Sequence, residues 1–144
     1  MEILTVDPGP TPGWAIFDSS TVSLLECGQG EQFCWLEPMS RYFDLRIIVY
    51  ERYFVSRPMQ GLEASEVIGA LRLKSRQAGL KLVQQEPSVP NFIDKKYFSS
   101  KHRVLKIHGL HAADAVRHGL YFLGVTLGKD IRSLVERVSV SFGS

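Results

Sequence analysis

Short apolar runs broken by glycine and proline fill the first half of the chain, and apolar positions at helical spacing fill most of the second. Glu2–Val6 is such a run, closed by Asp7-Pro8-Gly9-Pro10-Thr11-Pro12-Gly13, where three prolines and two glycines force a turn. Trp14–Asp18 resumes a β-favouring composition, Ser19–Thr21 turns again, and Val22–Cys27 reads as a third strand that frays at Gly28 and Gly30. The opening is therefore a meander of three antiparallel strands. Trp35–Leu45 has room for a short helix whose start is confined by Pro38. Arg46–Tyr50 is the strongest strand pattern, a continuous apolar run suited to a central position covered on both faces, and it ends on Glu51.

Beyond Glu51 the period changes. Ala64, Val67, Ile68 and Leu71 recur at helical spacing and predict a helix over Leu62–Ala78, stopped by Gly79. Leu80–Gln84 is a further strand ended by Pro87 and Pro90. Ser88–Ser100 reads as a loop or broken helix, and Ser99 or Ser100 can cap a helix running towards Ile107. Leu110, Ala113, Val116, Leu120 and Leu123 form the core stripe of a helix over Leu110–Leu123, which Gly124 closes, and Lys129–Val138 forms the last helix. Strands first, then strands alternating with helices, predict an α/β fold with a mixed five-stranded sheet flanked by helices.

Composition narrows the classes. The chain has 144 residues, 44% hydrophobic and 22% charged, which predicts one globular domain over residues 1–144. No apolar run of about 18 residues offers a membrane span, and the first residues lack the pattern of a signal peptide. The chain is expected to be cytoplasmic. Cys27 and Cys34 are too few for a disulfide scaffold or a four-thiolate zinc site, and read as small buried hydrophobes. The net charge of +2 decides nothing about partners, but its distribution does more. Lys95, Lys96, Lys101, His102, Arg103 and Lys106 follow Asp94 without an intervening carboxylate, and Arg72, Lys74, Arg76 and Lys81 form a second basic group. Each group is either a solvated face or a set of phosphate contacts.

Three carboxylates carry the candidate chemistry. Asp7 ends the first strand, Glu51 ends the strongest one, and Asp114 lies on the Leu110–Leu123 helix three residues after His111. Positions i and i+3 share a helix face, so His111 and Asp114 can point at one target from the border of the core stripe. Taken singly, each has a bland reading: Asp7 as a turn former, Glu51 as a solvated strand end, His111 and Asp114 as surface residues. Together they predict convergence at the strand ends. Crowded carboxylates repel and raise one another's pKa values, a cost that a divalent ion removes, and oxygen ligands with one histidine suit Mg²⁺ or Mn²⁺. Two such ions about 3.5–4 Å apart serve phosphodiester hydrolysis. His118 extends the same stripe and reads as a supporting or structural histidine; His108 reads as a loop residue.

These residues have a known counterpart. Val6-Asp7-Pro8-Gly9 followed by Gly13-Trp14-Ala15, the run Ile47-Ile48-Val49-Tyr50-Glu51, and His111-Ala112-Ala113-Asp114-Ala115 resemble, in order and spacing, RuvC-type Holliday junction resolvases of the ribonuclease H-like superfamily. The resemblance spans nearly the whole chain. It implies a ribonuclease H-like fold, Asp7, Glu51, His111 and Asp114 as ligands of two Mg²⁺ or Mn²⁺ ions, and a homodimer acting on four-way DNA. It also implies Phe54 as an aromatic that wedges into the junction crossover, with Tyr53 as the competing aromatic, and Lys101 as a catalytic lysine. The Leu62–Ala78 helix becomes the expected dimer contact. Arg72, Arg76, Lys95, Lys96, Lys101 and Arg103 become expected phosphate contacts. The short segment Gln32–Arg46, where relatives carry a long helix, and the compact chain suggest a phage-type or otherwise divergent variant.

The expected function is thus a metal-dependent, structure-selective DNA endonuclease resolving Holliday junctions or other branched DNA. Two rivals stay open: a related nuclease acting on flaps or RNA, and a non-catalytic module that binds branched DNA without cutting it. An actin-like nucleotide-binding fragment would share the aspartate-glycine turn but requires a longer, duplicated chain.

Overall fold

The computed structural model describes residues 1–53, 61–98 and 109–140. Its sheet is built from β1 (Glu2–Asp7), β2 (Gly13–Asp18), β3 (Ser23–Gln29), β4 (Leu45–Glu51) and β5 (Lys81–Gln85), in the order β3-β2-β1-β4-β5. The first three strands form the antiparallel meander, while β4 runs parallel to β1 and β5 parallel to β4. β1 is the middle strand and β4 its neighbour, so the strongest apolar run lies one place off centre.

Strand alternation assigns the two faces of this sheet. Leu4, Val6, Ile48 and Tyr50 pack into a core with Trp35, Val67 and Leu71, under α1 (Leu36–Ser40) and α2 (Leu62–Ala78). Ile3, Ile47 and Val49 face the other way. They pack against α3 (Val89–Tyr97), α4 (Leu110–Tyr121) and α5 (Arg132–Val140). Both faces of β1 and β4 are therefore dry, which is why their sequences read as unbroken apolar runs. By the same alternation, Thr5, Asp7 and Glu51 fall on the α4 face.

Several elements differ from the sequence reading. Of the two readings of Ser88–Ser100, loop or broken helix, the chain adopts a helix, α3, over Val89–Tyr97, because Pro90 sits in its first turn, where a missing N–H costs nothing. α1 is shorter than Trp35–Leu45, since Leu45 already belongs to β4. α5 starts at Arg132 rather than Lys129. Gly124 does not close α4. The chain continues through a π-helical turn over Phe122–Thr126, with Leu127 N–H donating to the Phe122 carbonyl at 2.9 Å, and Gly128 at φ 67° ends it. Gly124 serves packing instead: a Cβ there would stand 2.9 Å from Ile131 Cδ1. Leu110 is not core either; it is 74% exposed, because the first turn of α4 overhangs the rim of the sheet. Cys27 and Cys34 are free and only partly buried. The cap expected at Ser99 or Ser100 and the loop residue His108 lie outside the described residues.

Among the described residues, no helix is long and apolar enough to cross a membrane.

Candidate active site

One row of residues crosses all five strands at the rim. Gln29 pairs with Gly13, Gly13 with Asp7, and Glu51 with Gln85; Asp7 and Glu51 lie one residue beyond the Val6–Tyr50 pair. Cross-strand neighbours share a face, so this row faces α4, and α4 touches every member of it.

At one end of the row, Gln29 Oε1 accepts the backbone N–H groups of His111 at 3.0 Å and Ala112 at 3.2 Å. The helix N-cap is Gly109, which has no side chain to cap with, so an amide from β3 satisfies two of the orphan donors of the first turn. Gly13 comes next. A Cβ at this position would lie 1.9 Å from the His111 carbonyl oxygen, so only glycine lets β2 and α4 approach this closely. Asp7 Oδ2 lies 3.3 Å from His111 Nδ1. Glu51 Oε1 meets His118 Nε2 at 3.2 Å, and Gln85 Oε1 meets His118 Nδ1 at 2.7 Å. Beneath the row, the buried Thr5 hydroxyl donates to the Ala115 carbonyl at 2.7 Å.

The predicted four thus gather on one rim: Asp7 and Glu51 from strand ends, His111 and Asp114 from successive turns of α4. Their electrostatics match the crowding. Burial pushes the Asp7 carboxyl up to about 9, helped by its hydrogen bond to Glu51 and by the charges of Glu51 and Asp114. Burial also works to raise Glu51, but hydrogen bonds from His118 and Asp7 hold it below its ordinary value. Asp114 is raised by burial and by the charge of Glu51, against the opposing pull of Arg117.

Each carboxylate also has a nitrogen partner on α4: Asp7 has His111, Glu51 has His118, and Asp114 has Arg117, at 3.0 Å. Arg117 is gripped from behind by Asp94 of α3 at 2.8 Å. The donor set suits a hard divalent ion in its chemistry. In the arrangement described one oxygen of each carboxylate meets such a nitrogen, and among the described residues no three His, Cys, Asp or Glu side chains are grouped to hold an ion.

The expected DNA-contacting residues are distributed unevenly. Lys95 and Lys96 occupy the last turn of α3, beside Asp94, and flank the site. Lys96 Nζ sits 5.6 Å from the Phe92 ring centroid and 5.4 Å from that of Tyr97. Tyr53 follows Glu51 by two residues, and its ring packs on Gly61, where a Cβ would stand 2.0 Å away. Arg72 and Arg76 are not brought to the site. They are exposed on the second half of α2, which runs from the Glu51 end of β4 back to the start of β5. Neighbouring Lys74 lines a surface cavity of about 400 Å³ with Leu45 and Arg46, at the far end of the sheet. Phe54, Lys101 and Arg103 lie outside the described residues.

No protein-family model matches the chain, and no curated protein matches it in sequence. Solved structures do. RuvC of Thermus thermophilus in complex with a Holliday junction substrate aligns over 89% of this chain and 96% of that one, at TM-score 0.69 and 16% identity. The chain has the RuvC fold. A second Thermus thermophilus RuvC structure gives TM-score 0.66 at 17% identity over 89% of this chain and 97% of that one. Fowlpox virus resolvase with Holliday junction DNA aligns at TM-score 0.45 and 15% identity, over 97% of each chain. The α/β sheet with its antiparallel first three strands and flanking helices is thus the ribonuclease H-like architecture of RuvC, as the sequence motifs implied.

Sequence reasoning missed four residues that build the rim: Thr5, Gln29, Gln85 and Arg117. Arg117 alone had a local signal, at i+3 from Asp114 on the same helix face. The others act on α4 from distant strands, and nothing near them in sequence marks the role.

Proposed function

We propose that this chain is a divalent-metal-dependent endonuclease that hydrolyses phosphodiester bonds in branched DNA, with four-way junctions as its principal substrate. The observation that carries the reading is the rim: Asp7 and Glu51 side by side under His111 and Asp114, with the Asp7 carboxyl pushed up to about 9 by burial and like charge. A set of carboxylates this costly to bury fits a role that a cation completes. The RuvC fold adds support, since one RuvC neighbour was solved with a Holliday junction substrate.

Asp7, Glu51, Asp114 and His111 would hold one or two Mg²⁺ or Mn²⁺ ions, which when bound supply an activated water and stabilise the leaving oxygen. Asp7, at the centre of the row, would be the central ligand, with Glu51 and Asp114 holding from either side. Arg117, which bonds both Asp114 and Asp94, would hold the Asp114 carboxylate in place. His111, beside Asp7, would bind an ion directly or position the attacking water. Lys95 and Lys96 at the flank, with Lys101 and Arg103, contact phosphates, and Lys101 is the proposed catalytic lysine. Phe54 or Tyr53 stacks at the branch point, where an aromatic can replace an unpaired base. Arg72 and Arg76, at the far end of the sheet, would reach only an outlying arm of the substrate.

The domain would act whole, as residues 1–144, in a cytoplasm and as a homodimer. Leu62 and Leu73 support α2 as the dimer contact: both are exposed, at 49% and 56%, and about three turns apart they share one face. The pairing of every rim carboxylate with a nitrogen on α4 favours one second reading, a module that binds branched DNA without cutting it.

A labelled synthetic four-way junction, incubated with Mg²⁺, Mn²⁺ or chelator and mapped strand by strand, tests the proposal. Symmetric nicks that require the metal are expected, and lost in Glu51→Gln or Asp114→Asn while junction binding persists. Binding without nicking in both metals would select the second reading. Preferred cutting of flap or RNA–DNA hybrid substrates would replace the junction with another substrate.

A further inference from the structure

We propose that His118 and Gln85 are positioning residues that hold the Glu51 carboxylate in its working orientation, an inference that rests on the nuclease reading above. His118 is fully buried on the sheet-facing side of α4, and its ring spans two strands, meeting Glu51 at Nε2 and Gln85 at Nδ1. With both ring nitrogens engaged, the imidazole cannot spin or flip, and Glu51 inherits that rigidity. Without it, the Asp7 hydrogen bond would be left to hold a side chain that rotates about several bonds.

The pair is a poor way to build a core. Gln85 is 6% exposed, and among the described residues its Nε2 is buried with no partner and its Oε1 meets His118. Two buried polar side chains, one of them half satisfied, are costlier than apolar residues of the same shape. The surroundings offer an apolar solution: Val116, Leu120 and Val83 neighbour the pair in sequence and belong to or pack on the same core. A polar bridge kept at that cost, aimed at a rim carboxylate, fits a role in the site rather than in folding. Groups that orient metal-binding side chains are commonly as important to a metal site as the ligands themselves.

The double variant His118→Leu with Gln85→Met separates the two roles. It is expected to keep or raise the wild-type Tm, to lose about 10–100-fold in junction cleavage, and to weaken Mn²⁺ binding, titrated calorimetrically, by a similar factor. His118→Gln, whose amide can still donate to Glu51, is expected to recover most of both losses. Retention of cleavage and of Mn²⁺ affinity within about two-fold in the double variant would overturn the inference. So would its failure to fold, because the pair would then be a structural requirement. If the wild type cuts no branched DNA, the nuclease reading falls by itself, and the Mn²⁺ titration still judges the positioning: unchanged affinity in the double variant, or no affinity in the wild type, overturns it.

Discussion

Thr5 donates its hydroxyl to the carbonyl of Ala115 at 2.7 Å, a fully buried bond between the middle strand and the helix above it. Asp7 lies two residues along the same face of β1, and Asp114 precedes Ala115. The bond therefore sets the depth at which α4 rests over the rim, and with it the spacing between carboxylates from opposite ends of the chain. The remaining contacts along the row fix the helix at its start, through Gln29 and Gly13, and at its last turn, through His118.

Replacing Thr5 with valine keeps its shape and removes the hydroxyl. The variant should lose about 1 kcal/mol, the ordinary net worth of one buried hydrogen bond, seen as a Tm lower by about 2–4 °C. Cleavage should fall further than stability does, since a helix free to shift moves two of the four site residues. Thermal unfolding by circular dichroism and a parallel cleavage assay check both parts; an unchanged Tm with unchanged cleavage would remove the bond from the account.

Gln29 acts on the same helix from its N-terminus. Gln29→Leu leaves the N–H groups of His111 and Ala112 without their acceptor, and a lost cap costs about 1 kcal/mol. Amide hydrogen exchange should quicken at these two positions and little elsewhere in α4. If the two amides keep their protection, water or another side chain caps the helix instead.

The Gly13 contact yields a contrast. Gly13→Ala puts a methyl group against the backbone of His111 and Ala112, which cannot turn aside as a side chain would, so the substitution should cost at least about 1–3 kcal/mol. Gly69, on the exposed face of α2, has nothing within 4 Å of a built Cβ. In the monomer, Gly69→Ala should therefore stabilise by about 0.5–1 kcal/mol, through helix propensity alone. Denaturant midpoints of the two variants, moving in opposite directions, would show that close approach and not glycine content governs the rim.

The two dry faces of β1 and β4 made those strands legible, because burial on both sides leaves an unbroken apolar run. The spacing of Ala113, Val116 and Leu120 gave α4, Asp7 and Glu51 stood out at strand ends, and Asp114 stood out by its i+3 spacing from His111. What stayed hidden depends on the third dimension. Gln29 is an ordinary strand-end residue until α4 arrives above it, and Thr5 inside an apolar run reads as β propensity. Leu110 was misplaced because helical periodicity cannot say where the underlying sheet stops. Arg72 and Arg76 formed a basic group with nothing local to show that α2 carries them away from the rim. Gly124 has the sequence of a stop, but packing against Ile131 and a π-helical turn carry the chain past it.

Asp7→Asn tests the electrostatics of the rim directly. In the folded chain the Asp7 carboxyl keeps its proton to about 9, mainly through burial, against an ordinary value of 3.8. Between those pH values the unfolded chain has released a proton that the folded chain retains, so stability falls as pH rises. The contribution is intact below the ordinary value and is lost progressively towards the folded one. Asparagine cannot ionise, yet its amide can still donate to Glu51 and its carbonyl can still accept from His111. In chelator, the variant should be more stable than wild type by at least about 1 kcal/mol near pH 8, the difference closing towards about pH 4. On the proposed function, junction cleavage should meanwhile drop to background, since Asp7 is its central carboxylate. A Tm gained as activity is lost is the signature of a residue kept for function against stability. Lower stability than wild type near pH 8 would mean that His111 holds Asp7 as a carboxylate in the folded chain, with burial the weaker effect.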